Sequence, residues 1–289
     1  MRNLRILAGA TYGDITRRPL YYILLFTFAL AILCSKFLTL FSFYQEINMV
    51  REMGLATITF WGFIVLVVTS GLVVTQELED RTAVTLLSKP LRRSDFLLGK
   101  FFGLVLSLIP GIIVLSGVLF LTLWMMSAPK LPLHDRDLVL GAQKGVSAFR
   151  TAWTVTWDQF VVRQSGVVLQ GALLAFFQTT LLAAAAVSFA AFFPNVVAVA
   201  ATTLVFIFGN VSSYMLASVE NMNAGVLSFV GKTASYLVPN LGYFNLQMYF
   251  SEGKIISLRY LGLSFAYTAL YVTAVFLVSC SLFQKREVR

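Results

Sequence analysis

Six long apolar stretches decide what this chain can fold into. They run approximately from Leu20 to Ser42, Leu55 to Val74, Phe96 to Met126, Val167 to Phe193, Val196 to Ser218 and Arg259 to Phe283. A hydrocarbon core about 30 Å thick needs about 20 helical residues to cross it, and each stretch reaches that length. Their apolar residues are continuous rather than alternating, which sets aside the strands of a membrane barrel. Composition points the same way. Of 289 residues, 58% are hydrophobic and 12% charged, whereas soluble domains are about a quarter charged. So little charge cannot cover a soluble surface of this size, which excludes disorder, a disulfide scaffold and an ordinary soluble enzyme. The sequence predicts an all-α polytopic membrane protein, a single transmembrane domain over residues 1–289.

The net charge of +9 gives that domain a direction, because Lys and Arg crowd the cytoplasmic flanks of membrane spans. One side holds Arg2, Arg5, Arg17, Arg18, Arg81, Lys89, Arg92, Arg93, Lys285, Arg286 and Arg289, with Lys100 just inside the third span. The other side holds Arg51 and two connections of about 40 residues, 127–166 and 219–258, over which seven basic residues are spread thinly. The denser side is expected to face the cytoplasm, with both termini inside. In so apolar a chain the excess base marks membrane flanks and not a nucleic-acid surface. Residues 1–18 place Leu4, Ile6, Leu7 and Ala10 against Asp14, Arg17 and Arg18 at helical spacing, which predicts an interfacial helix on the inner surface. The run after it exceeds a signal core, and Leu33 is too large for the position before a lipoprotein cysteine, so an uncleaved first span is expected. Cys34 and Cys280 fall at opposite depths and are not expected to pair.

Catalytic motifs are scarce. His134 is the only histidine, so a zinc site of two or three histidines is impossible. Gly225 to Thr233 imitates a phosphate loop but has five residues between its glycines where four are needed. No cofactor or metal is expected. Packing signals are richer: Gly99, Gly103, Ser107 and Gly111 recur every four residues along the third span, a small-residue stripe suited to close helix contact, within the molecule or between subunits. Pro110 beside Gly111 predicts a kink or tilt there. Gln170, Gln178 and Asn210 read as interhelical hydrogen-bonding groups, or as lining for a path. In the 219–258 connection, Gly225 to Val230, Tyr236 to Val238 and Leu241 to Phe250 are apolar but too short to span. They predict re-entrant or interfacial outer helices, broken at Pro239 and Asn240, with Tyr243, Phe244, Tyr249 and Phe250 suited to the interface.

The connection from Gln76 to Lys100 reads QELEDRTAVTLLSKPLRRSDFLLGK. Acids lead it, an amphipathic turn with Leu86 and Leu87 follows, Pro90 breaks the turn, and Arg92 and Arg93 precede the third span. This order resembles the permease subunits of ABC type-two transporters, which are mostly exporters. Their second and third spans are joined by a cytoplasmic coupling helix of the pattern Glu…Gly-Thr…Leu-Leu…Pro…Arg…Gly-Lys. The matching positions are Glu77, Glu79, Thr82, Leu86, Leu87, Pro90, Arg92 or Arg93, Gly99 and Lys100, while Arg81 stands where the family often has glycine. LLSKPLRR and LLGKFFG are most similar to the branch associated with multicopper-enzyme maturation.

The resemblance implies a transmembrane subunit of an ATP-driven exporter. ATP would be bound by a separate cytoplasmic ABC ATPase, and a second permease subunit, identical or not, would complete the pore in a prokaryotic plasma (inner) membrane. It also implies that the segment 76–95 couples to that ATPase through Glu77, Glu79, Thr82, Leu86, Leu87, Pro90, Arg92 and Arg93, and that Pro239 and Asn240 belong to an outer gate. The 127–166 loop has no counterpart in the pattern and reads as a small outer cap. A passive channel or a scaffold subunit of a membrane complex is the alternative, and it predicts no ATPase partner.

Overall fold

Inside a bilayer every backbone group must be satisfied within the protein, so each apolar stretch becomes a helix. The computed structural model describes residues 2–38, 46–71, 93–127, 163–220, 239–246, 249–250 and 255–285. Among them are α1 (Arg2–Thr16), α2 (Pro19–Leu38), α3 (Glu46–Ser70), α4 (Arg93–Ser127), α5 (Arg163–Phe192), α6 (Asn195–Glu220) and α7 (Leu258–Lys285), with a short 3-10 turn at Leu241–Phe244. No strand occurs among the described residues. The helices α2 to α7 supply six stretches long and apolar enough to cross a membrane, the number expected from the sequence.

Local chemistry sets the ends. Pro19 opens α2 at the first helical position, where its missing N–H is no loss. Pro194 cannot continue α5, and its carbonyl instead accepts the Ala198 N–H at 3.0 Å as α6 begins. The largest departure from expectation is α3, which starts at Glu46 and not near Leu55. Glu46, Arg51 and Glu52 make its first two turns look like a connection. A carboxylate in the first turn suits the positive end of a helix, and Arg51 is buried, so these turns belong to the packed bundle.

The centre of the bundle is α5. In its most apolar stretch 72% of residues are buried, against 17% for α2 and for α7. It packs against α3, α4, α6 and α7, and the run Ala183 to Ala186 lets neighbours approach closely. Hydroxyls at this depth bond back along their own helices: Thr69 to the Val65 carbonyl, Thr179 to that of Ala175 and Thr202 to that of Ala198. On the periphery, Phe26 and Leu270 are 70% and 74% exposed. In lipid such faces cost nothing, because acyl chains are as apolar as the side chains.

Candidate functional site

The coupling residues Glu77, Glu79, Thr82, Leu86, Leu87, Pro90 and Arg92 lie outside the described residues. The two helices that bracket them are described. The chain leaves α3 after Ser70 and enters α4 at Arg93. At the departure point Gly71 has no room for a side chain, because the Asn195 amide occupies the place of a Cβ. The end of α3 is thus seated against the turn between α5 and α6. Both brackets are core elements, since α3 packs on α5, α2 and α4, and α4 packs on α1, α5 and α3.

The small-residue stripe of α4 is filled by the same chain along its whole length. A Cβ at Gly99 would lie 2.5 Å from Leu7 Cδ2, and one at Gly103 would lie 2.7 Å from the Ala8 carbonyl oxygen and 2.5 Å from Thr11 Cβ. The pairing advances four residues on each helix, so α1 runs parallel to the first half of α4. Thr11 and Ile15 are buried, while Arg5, Ile6 and Arg17 are exposed. The helix expected to lie on a lipid surface therefore has a protein partner on its inner face. At about 1.5 Å per residue, the 35-residue α4 is about 52 Å long, much more than about 30 Å of hydrocarbon. Its excess length gives α1 something to pack on.

Above α1 the stripe meets α2 and α3. The Tyr21 hydroxyl donates to the Ser107 carbonyl at 2.9 Å. Helix α4 runs through Pro110, whose missing N–H leaves the Leu106 carbonyl without its usual partner. At Gly111 the Trp61 indole lies directly on the backbone, where any Cβ would overlap it. Trp61 in turn meets Tyr21 edge to face, ring centroids 5.8 Å apart. All four stripe positions are thus occupied, by α1, Tyr21 and Trp61.

The opposite end is held by polar side chains. Gln170 on α5 uses both halves of its amide on one residue: Nε2 donates to the Ile256 carbonyl at 3.0 Å, and Oε1 accepts the Ile256 N–H at 2.8 Å. Arg51 on α3 donates to the Phe250 carbonyl at 2.8 Å. The Asn240 N–H donates to the Tyr267 hydroxyl at 3.1 Å, and the Tyr260 hydroxyl donates to the Tyr243 carbonyl at 2.7 Å. Pro239 is buried, and its carbonyl, with Leu241, presses on Gly209 of α6. Asn240 caps the 3-10 turn by accepting the Gly242 N–H at 2.9 Å. Of the four aromatics expected at the interface, Tyr243 and Tyr249 are exposed, whereas Phe244 and Phe250 are buried. The phenols keep a polar tip that favours a wet boundary, and the two phenylalanines do not.

Midway along the spans, Gln178 on α5 donates to Asn210 Oδ1 on α6 at 3.2 Å, and the Asn210 amide nitrogen donates back to the Phe206 carbonyl at 2.8 Å. Ser279 on α7 donates to Ser188 on α5 at 2.8 Å. These groups join helices. The sequence offered Arg51 only as a flanking charge, and no pattern around Arg51 or Tyr267 names a partner. A family model described as ABC-2 family transporter protein matches residues 13–288. No curated protein matches the chain.

Proposed function

Since the chain belongs to the ABC-2 transporter family, it is a transmembrane subunit of an ABC transporter, and we propose that it is the permease of an exporter driven by separate cytoplasmic ATPase subunits. The family match over nearly the whole chain is the observation that carries this reading. In it, Leu86 and Leu87 fill a groove of the ATPase, and Glu77, Glu79, Arg92 and Arg93 pair at the rim. ATP is bound by that partner, and a second permease subunit completes the path. Both termini face the cytoplasm with the basic flanks.

The packing supports a physical route for the coupling. A helix wedged between the ends of α3 and α4 pushes on two core elements, and packed cores respond to a push by discrete rearrangement and not by smooth compression. Because α1 is locked to the first half of α4, it travels with that half. The direct test replaces both Leu86 and Leu87 by Asp in the full-length protein and asks, by affinity purification and mass spectrometry, whether an ATPase with a complete phosphate loop still accompanies it. The parent should carry the ATPase and the double variant should lose at least nine-tenths of it. Equal recovery from both would overturn the proposed docking.

A further inference from the structure

Helices α4 and α5 pack against each other, yet they leave a groove of about 400 Å³ between them. Its eight lining residues lie between Ile109 and Ser116 on α4 and between Leu169 and Phe176 on α5. Ile112 and Ala172 are buried at its floor, while Ile113 and Leu169 stand at its rims, 64% and 63% exposed. The one hydroxyl of the lining, on Ser116, donates to the Ile112 carbonyl of its own helix at 2.6 Å. An occupant therefore meets no polar group.

Both walls are held from behind by α3. Gly111, next to the floor residue Ile112, carries the Trp61 indole on its backbone. Gly171, next to the floor residue Ala172, leaves no room for a Cβ beside Leu55. Trp61 and Leu55 are themselves buried. Drawing α4 and α5 together to close the groove would lift these glycines off α3 and open a void there. Packed interiors have little slack for such an exchange. The groove is set by how three helices meet, and the short Ala172 side chain leaves it deep.

Its chemistry and size select what fills it. A bound water needs two to four polar partners, and apolar cavities of about 150 Å³ stay dry and take apolar guests instead. A second protein would need a wider footing, since stable interfaces use about 20–30 residues a side. The bilayer supplies the remaining occupant. Seven residue steps along either helix make the groove about 10 Å long. One leaflet of a hydrocarbon core about 30 Å thick is only somewhat deeper than that. We infer that the groove binds one acyl chain of a bilayer phospholipid, in the leaflet away from α1. The chain completes the α4–α5 interface, whose lining would otherwise face a gap and lose contacts on that side. The inference rests on the six spans and not on the ATPase partner.

The test is photochemical. The full-length protein is reconstituted into phosphatidylcholine vesicles containing a small fraction of phosphatidylcholine with a diazirine near the end of one acyl chain. After irradiation, the cross-linked residues are mapped by mass spectrometry. Labelling within 109–116 and 169–176 should exceed, at least fivefold, labelling at Leu263 and Leu270 of α7, which are 63% and 74% exposed. Ala172→Phe, which fills the groove from its floor, should reduce that ratio to about one, and Leu270→Phe should leave it unchanged. Ser116→Leu fills the groove from the other wall and keeps the test decisive if the phenylalanine variant does not fold.

Equal labelling of the groove and α7 in the parent would overturn the site, because it would signify ordinary lipid contact. Enrichment that survives a folded filling variant would overturn it as well. So would a second copy in the groove, read as a disulfide-linked dimer formed in high yield by Ile113→Cys in a background with Cys34 and Cys280 replaced by Ser. The dimer should be absent. Loss of ATPase co-purification would overturn the docking proposed above and leave this labelling pattern as it is, so the two failures are distinguishable.

Discussion

The two ends of the bundle are held by opposite means. Where α1 lies on α4, its backbone approaches Gly103 and the Leu7 side chain fills the space over Gly99, so the fit is made by shape. At the other end, Arg51, Gln170, Tyr267 and Tyr260 reach the backbone groups of residues 250, 256, 240 and 243 by hydrogen bonds. The solvent explains why both devices exist. Apolar helices gain nothing by leaving lipid for one another, so association depends on close packing or on hydrogen bonds. The two differ in how they fail. A packed interface tolerates little displacement, because contacts fall away within about an ångström. A hydrogen bond from a long side chain survives rotation of that side chain and can be made again after release. The first suits parts that must move together, and the second suits parts that must separate.

If shape alone fills the small-residue stripe of α4, adding atoms along it should do the most harm, in an order set by what the new atoms meet. At Gly111 a side chain meets the rigid Trp61 indole. At Gly103 it meets the Ala8 carbonyl oxygen, which moves only if α1 moves, and at Gly99 it meets the Leu7 side chain alone, from Cβ at 3.0 Å to Cδ2 at 2.5 Å. Overpacking of this kind costs about 1–3 kcal/mol. Gly111→Val should lie at or above about 3 kcal/mol, Gly103→Ala near about 2 and Gly99→Ala near about 1. Thermal unfolding in detergent, followed by tryptophan fluorescence, should rank the three in that sequence. If Gly99→Ala proved as harmful as Gly103→Ala, the distinction between backbone and side-chain neighbours would collapse.

The same contrast explains what the sequence could disclose. A stripe of small residues every four positions is a periodic signal on one helix, so Gly99, Gly103, Ser107 and Gly111 were visible as a packing face. What filled the face was not, because nothing in residues 1–18 names α4 as its partner. An amphipathic pattern reads equally well against lipid and against a groove. The six spans were legible since each is a local run of apolar residues. The start of α3 was hidden by three charges, one of which, Arg51, is buried and donates to residue 250, 199 positions away in the chain. Gln170 and Ile256 are likewise 86 positions apart, and a single polar residue in a span carries no information about its distant partner. The coupling segment was read from residue order alone, and its geometry lies outside the described residues.

Hydrogen bonds within the bundle should matter less than glycine packing, and Gln178 measures by how much. Its bond to Asn210 joins α5 to α6, and Gln178 is 2% exposed. Gln178→Leu keeps a similar volume and removes the donor, while the Asn210 amide nitrogen retains the Phe206 carbonyl. Hydrogen bonds between membrane helices average about 0.6 kcal/mol and reach about 1.7 at most. The variant should therefore be destabilised by about 1 kcal/mol, clearly less than Gly103→Ala in the same unfolding assay. A larger loss than that of the glycine variant would reverse the ranking of the two devices.

The smallest effect belongs to a charge pair at the end of α1. Arg18 Nη2 lies 3.1 Å from Asp14 Oδ2, one turn apart, and the two side chains are 34% and 49% exposed. Exposed pairs at this spacing contribute about 0.3–0.5 kcal/mol, and salt reduces that further. Asp14 is itself exposed while Thr11 and Ile15 are buried, so Asp14→Asn leaves the buried side chains of α1 unchanged. Unfolding of this variant should fall within about 0.5 kcal/mol of the parent at low salt and should coincide with it at high salt, where the Debye length drops to about 3 Å. A loss comparable with that of Gly103→Ala would mean that charge, and not fit, seats α1 on α4. The two ends of the bundle would then be held by the same kind of force, and α1 could leave α4 and return to it as a polar contact can.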